Sequence, residues 1–302
     1  MSGTILPGFL DAHVHLALID PAALAGGGIA RVVDLGGWTP NAGGPAASTP
    51  ALLLGVAHAG QFLAAPCGYP STQSWAPAGS VCEVATAEDA AAAVDKQLAG
   101  GASVIKVTLN SAAGPVLASD VLAAIVARAR ESGTPVVAHA EGVGQAVRAF
   151  VAGVDVLAHT PFSERLVDEL VDAMAGRMTW ISTLDIHGWG EENDDFARAS
   201  DNLRRFHSYG GRVLYGTDLG NGPLPVGLNR REIDALLRIG MSPDEVLGAL
   251  TATFPRHAPG GPTNGQRTVS VVPGERPTDP AAFAEWVCAA RALSRSELEE
   301  FV

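Results

Sequence analysis

Residues 102–139 read ASVIKVTLNSAAGPVLASDVLAAIVARARESGTPVVAH. The runs Ala102–Leu109 and Pro135–His139 are short, nearly continuous and rich in Val, as expected of parallel strands covered outside and packed within. Between them Ser119 reads as the cap of a helix with apolar residues at helical spacing. That helix closes at Gly133, a residue suited to the left-handed turn past a helix end. The segment therefore alternates strand, helix, strand.

The alternation continues in both directions. Before it, strands fit Gly8–His15, Ala30–Leu35 and Ala51–Ala57; after it they fit Val154–His159, Met178–Leu184 and Arg212–Tyr215. Helices fit the stretch capped by Thr86, with Asp89 three residues on as a capping-box partner, and Gly144–Ala152, Ser163–Ala175, Asp194–Ser208 and Asn229–Gly240. A further helix carries Pro243 in its first turn. Eight strands alternating with helices over about 250 residues predict a (β/α)8 barrel. The barrel is expected over residues 1–256, and a C-terminal extension over 257–302. One connection stands apart: from His58 to Ala85 there is no convincing periodicity. A loop of that length leaving the C-terminal end of the third strand reaches the face where barrel active sites lie.

Composition limits the partners. Of 302 residues, 47% are apolar and 17% charged, enough to build a large core and too little charge for disorder. The 32 acidic against 20 basic side chains give a net charge of −12, which repels phosphate backbones and anionic membrane surfaces. The expectation is a small-molecule partner, with no nucleic acid and no membrane; assembly into a homo-oligomer stays open. The 3 cysteines, Cys67, Cys82 and Cys288, form no CxxC pair and suggest a reducing cytoplasm. The N-terminus has no basic region of a signal peptide, and no apolar run approaches a membrane span.

Chemistry-bearing residues sit at the ends of these strands. His13 and His15 are two apart on one strand and so point to the same side. His139 and His159 close the fifth and sixth strands, Asp218 follows the eighth, and Lys106 lies within the fourth. Singly, a strand histidine is an ordinary hydrogen-bonded core residue and an aspartate in GTDLG an ordinary turn residue. A lysine embedded in VIKV is harder to place, because a buried ammonium without a partner is costly. In a barrel all six converge on one mouth.

These motifs resemble the amidohydrolase superfamily. LPGFLDAHVHL is similar to its first barrel strand with HxH, VIKV to the strand-4 lysine, VVAHAEG and VLAHTP to the strand-5 and strand-6 histidines, and YGTDLG to the strand-8 aspartate. The segment NRREIDALLRIGMSPDEVLGALTATFPR, with VVDLGG and CGYP, resembles the imidazolonepropionase-like and prolidase-like branch. The resemblance implies two divalent metal ions, zinc by preference. His13 and His15 would bind the more buried ion and His139 and His159 the more exposed one. A CO2-derived carbamate on Lys106 would bridge them, and Asp218 would act as ligand and general base. It further implies cleavage of an amide-type C–N bond (in a dipeptide, N-acyl amino acid or cyclic amide) by a metal-bridged hydroxide. The alternatives are a mononuclear zinc deaminase, a lactonase, or a catalytically inactive metal-binding barrel. Glu141 stands two residues after His139, where the deaminases have their acid at three, and Lys106 occupies the bridging position; both favour the binuclear hydrolase. Tyr69, His187, Trp189 and Asn221 are expected to line the substrate pocket. Many relatives carry a β-sandwich before the HxH strand. Here it is expected to be missing or vestigial, with the tail expected to form half a sandwich or helices packed on the barrel.

Overall fold

The computed structural model describes residues 3–38, 54–255, 268–294 and 296–298. With elements numbered in chain order, the barrel strands are β2 (Phe9–Val14), β3 (Ile29–Asp34), β4 (Gly55–His58) with β5 (Phe62–Ala64), β7 (Ile105–Asn110), β8 (Val136–Glu141), β9 (Val156–Leu157), β10 (Thr179–Ile181) and β11 (Arg212–Leu214). All neighbours in this series pair in parallel. The third barrel position is split, β4 pairing with β3 and β5 with β7. Backbone bonds close the ring: Ala12 N–H donates to Tyr215 C=O at 3.0 Å, His15 N–H to Leu219 C=O at 2.8 Å and Ser103 N–H to His58 C=O at 3.0 Å. The expected (β/α)8 fold is present.

Side-chain alternation explains what the barrel contains. Val104, Val137, Val156, Ile181 and Leu214 pack with Leu10, Ala12 and Phe254 in an inner cluster, while the residues between them, such as Ile105, Val136 and Trp180, join the outer core under the helices. Two positions beyond Val104 and Val137 on the same faces stand Lys106 and His139, which is how strand periodicity delivers them to the mouth. In β2 a register irregularity between Asp11 and Val14 breaks the alternation. That irregularity lets Leu10 and Ala12 fill the barrel while His13 and His15 face the cavity above it.

The helices are α1 (Ala23–Gly26), α2 (Ala87–Ala99), α3 (Ser119–Glu131), α4 (Gln145–Ala152), α5 (Asp168–Ala175), α6 (Asp194–Ser208), α7 (Arg230–Arg238), α8 (Pro243–Thr251) and α9 (Pro280–Cys288). Thr86 forms the expected capping box with Asp89. Ser242 and Glu245 form a second at α8, with Pro243 in its first turn. Two helix starts differ from expectation. Ser119 is the first helical residue rather than the cap; Ala118 holds the cap position in extended backbone with no side-chain bond. The helix expected from Ser163 begins at Asp168, because Ser163 Oγ and Glu164 Oε1 instead accept from the backbone N–H groups of Gly142 and Gly144.

The connection after His58 is not without regular structure. It holds β5 and β6 (Val81–Glu83), paired in parallel from Phe62↔Val81 to Ala64↔Glu83. Three-residue strands are too short to show a period. The tail holds both strands and a helix. β12 (Thr268–Pro273) and β13 (Arg291–Ser294) pair antiparallel and are not left as half a sheet, because β1 (Gly3–Pro7) adds a third strand, antiparallel to β12. Ser270 Oγ ties this sheet to the N-terminal end of the barrel strands, accepting from Phe9 N–H at 2.8 Å and donating to Gly28 C=O at 3.0 Å. α9 packs Phe283 and Val287 into the main core. The expected boundary at 256/257 and the first residues of the expected third strand, 51–53, lie outside the described residues. Among the described residues no helix is long and apolar enough to cross a membrane.

Candidate metal centre

The six strand-end residues meet in one cavity of about 370 Å³. His13 Nε2 and His15 Nε2 stand 2.9 and 3.1 Å from Asp218 Oδ1. Donor atoms of His13, His159 and Asp218 lie within 4.8 Å of one another, all three residues buried. Lys106, only 2% exposed, and His139 line the same cavity. The His139 and His159 rings are 4.9 Å apart, centroid to centroid.

His13, His15, His159 and Asp218 are each oriented by a hydrogen bond at a second atom. His13 Nδ1–H donates to Ala158 C=O at 2.9 Å and His15 Nδ1–H to Gly36 C=O at 3.0 Å, which leaves both Nε2 lone pairs facing the cavity. His159 Nδ1 shares a 3.0 Å hydrogen bond with Thr183 Oγ1. Thr183 has φ 42°, left-handed backbone that is strained for a β-branched residue and is found where surrounding structure enforces it. Asp218 also lies in the left-handed region, φ 57°, which an aspartate tolerates better, and Asn221 Nδ2 donates to its Oδ2 at 2.8 Å. Asp11, under the floor, accepts from Thr217 Oγ1 at 2.6 Å and from the Thr217 and His13 N–H groups, both at 3.1 Å.

The electrostatics fit cation binding. Burial pushes the Asp218 carboxyl up, but His13, His15 and His159 outweigh it and hold it well below the carboxylate range. Burial lowers His13 to about 4 and His159 well below its usual value, so both are neutral, lone-pair donors. His15 is depressed by burial, yet its contact with Asp218 reverses the sign and raises it. Burial lowers Lys106 to about 7, which makes a neutral amine accessible near neutral pH. His13 Nε2 and Asp218 Oδ1, though 2.9 Å apart, lack hydrogen-bond geometry with any partner among the described residues. Buried donors and acceptors are almost always satisfied, so two converging orphans are what a cation site leaves behind. The donor set of imidazoles and a carboxylate suits zinc and related divalent ions.

His139 is held differently. Its Nε2–H donates to Glu141 Oε2 at 3.1 Å, and Asn110 Nδ2 donates to the same oxygen at 2.8 Å. The hydrogen bond from His139 lowers the Glu141 carboxyl further. Tyr69, His187, Trp189 and Asn221 all border the cavity. Tyr69 stacks on His139, 5.0 Å between centroids at 26°. The sequence reading did not single out Trp75, Phe62, Phe162, Asn110 or Thr183. Trp75 was the findable one, a tryptophan in the long connection; the others depend on pairings that only the folded chain reveals.

Comparisons with known proteins agree with the fold. The chain resembles, in fold, a Xaa-Pro dipeptidase crystallised with methionine in its active site, at TM-score 0.71 and 19% identity over 97% of this chain and 86% of that one. It also resembles ochratoxinase from A. niger, at 0.73 and 19% over 95% and 81%, and phenylurea hydrolase B, at 0.63 and 16% over 97% and 84%. No curated protein sequence matches the chain significantly. The profile of the amidohydrolase family, however, matches residues 4–257, and with that span of a 302-residue chain covered, this protein belongs to the amidohydrolase family.

Proposed function

We propose that the protein is a metal-dependent hydrolase of small molecules, cleaving an amide-type C–N bond. The observation that carries this reading is the convergence of His13 Nε2, Asp218 Oδ1 and His159 at the barrel mouth, the first two 2.9 Å apart yet without hydrogen-bond geometry among the described residues. His13, His15 and Asp218 would hold one divalent ion. His159 would hold a second, joined by His139 when it exchanges its Glu141 bond for the cation. Lys106, buried in the same cavity and lowered by burial to about 7, would bridge them as a carbamate, since an ammonium has no lone pair to offer. When bound, such ions supply Lewis acidity to a carbonyl oxygen and to a water.

The remaining work falls to the chain. Asn221 pins Asp218 Oδ2, so Oδ1 is the oxygen presented to the histidines. Asp218 takes the proton of the attacking water and hands it to the departing nitrogen, the role of a general base and then acid. Phe62 and Trp75 cover the side of His15, their rings 5.7 and 6.4 Å from its own, and limit water there. A single-ion enzyme is the second reading, favoured by the tightest cluster comprising only His13, His159 and Asp218. The three cysteines are free, which fits a cytoplasmic setting.

Asp218→Asn tests the assignment. Against a panel of N-acyl amino acids, dipeptides, neutral amides and lactones, the variant should retain most bound metal while kcat falls at least about a thousandfold. Retained turnover would remove Asp218 from the chemistry.

A further inference from the structure

Resting on the hydrolase reading, one property of the cavity narrows its substrate. Five aromatic side chains border it, Phe62, Tyr69, Trp75, Phe162 and Trp189. Three of them come from the third barrel strand and the connection after it, where Trp75 lies 6.0 Å from Tyr69 and 6.3 Å from Phe62. Trp189 comes from beyond β10, on the other side of the ring of strands. It is fixed there by its N–H bond to Asp185 C=O at 2.7 Å and by Gly222, where any Cβ would meet the indole ring at 2.5 Å. Trp75 and Trp189 keep 39% and 42% of their surface exposed, so their faces are available to a ligand.

The same lining is poor in cations. Beyond the six proposed ligands and the Tyr69 phenol, its titratable side chains among the described residues are Glu141 and His187. Glu141 is an acid. His187 packs its ring 4.3 Å from Phe162, and burial there lowers it to about 4, so it carries no charge at neutral pH. No arginine lines the cavity among the described residues. Arg231, beside the short helix Asp185–His187 that carries the imidazole, is occupied by Asp185, with Nε 2.8 and 2.9 Å from the two carboxylate oxygens. Beyond the proposed ions, a free carboxylate entering such a pocket would lose its water without gaining a cationic side chain and would face Glu141, whereas an aryl group would gain stacking area.

We infer that the substrate is an uncharged amide bearing an aryl group, held between Trp75 with Tyr69 and Trp189, and that free-carboxylate dipeptides and N-acyl amino acids are excluded. A matched pair isolates the claim: N-benzoylglycine and its methylamide share the acyl group and the benzoyl C–N bond and differ in one negative charge. With the metal-loaded enzyme, the methylamide should show at least about a tenfold higher kcat/KM. Quenching of tryptophan fluorescence supplies dissociation constants that do not need turnover, and the methylamide should again bind at least about tenfold tighter. Trp75→Ala and Trp189→Ala should each weaken that binding about tenfold. Trp189→Phe, which keeps an aromatic face, should restore most of it. Both tryptophans are partly exposed, so these variants keep the core intact.

Equal or stronger binding or cleavage of the carboxylate would overturn the inference. So would tryptophan variants without effect, or no binding of the methylamide up to its solubility limit. Preferential binding of the methylamide with neither compound cleaved would support the inference while counting against the hydrolase reading.

Discussion

Thr183 shows how much of the site is decided by single residues behind the ligands. Its hydroxyl meets His159 Nδ1 at 3.0 Å from a backbone position, φ 42°, that a β-branched residue does not adopt freely. Thr183→Val keeps the shape and removes the bond. Metal affinity, measured by competition with a chelator, should fall about 10- to 100-fold, and Thr183→Ser should recover most of it. An unchanged affinity would mean the hydroxyl does not orient His159. His187 gives a titration prediction. Burial lowers its folded value to about 4, against 6.5 when unfolded. Between those limits the unfolded chain holds a proton that the folded chain does not, so stability rises as pH increases from about 4 to about 6.5, by at most about 3 kcal/mol. Urea denaturation of His187→Gln across that window should show a rise smaller by that amount, the buried His13 and His159 still contributing theirs; an identical slope would show that the imidazole titrates normally. At this scale the sequence was informative where chemistry is rare in strands. A lysine inside VIKV and paired histidines inside FLDAHVH have few ordinary explanations, and both line the cavity. Thr183, Asn110 and Phe162 carry no such signal, since threonine, asparagine and phenylalanine are common in every context.

Elements were legible in proportion to their length and to the chemistry of their ends. The Thr86–Asp89 capping box at α2 formed as its spacing implied, and α8 carries a second box, Ser242–Glu245, beside the expected Pro243. Ser242 Oγ accepts from Glu245 N–H while Glu245 Oε2 accepts from Ser242 N–H at 2.7 Å. Ser242→Ala should cost about 1 kcal/mol in thermal or urea unfolding with activity unchanged, and no measurable loss would show that the box is replaced by water. Ser119 misled because a serine before an apolar helix is a cap only if its own backbone is extended, and here Ala118 takes that conformation. β5 and β6 were hidden for a different reason. Each is three residues long, and their pairing links segments separated by a connection with no pattern of its own.

The whole molecule explains why scattered residues behave as one site. β2, β7, β8, β9 and β11 are remote in sequence, yet parallel pairing brings their C-terminal ends to one rim. That arrangement was readable, because eight apolar runs alternating with helices admit few other folds. The three-stranded sheet of β1, β12 and β13 was only half readable. The partner of the tail is five residues at the opposite end of the chain, too short and too exposed to announce a strand. Ser270, which joins this sheet to the N-terminal end of the barrel strands through Phe9 and Gly28, ties it to the strand that carries His13.

The central claim concerns metal, and elemental analysis tests it without any assumption about substrate. Protein purified without chelator should contain two divalent ions per chain. Lys106→Ala should lower that content, with partial recovery on adding a short carboxylic acid that supplies the missing bridging oxygens. Native protein free of bound metal, or a Lys106→Ala variant with undiminished content, would contradict the account.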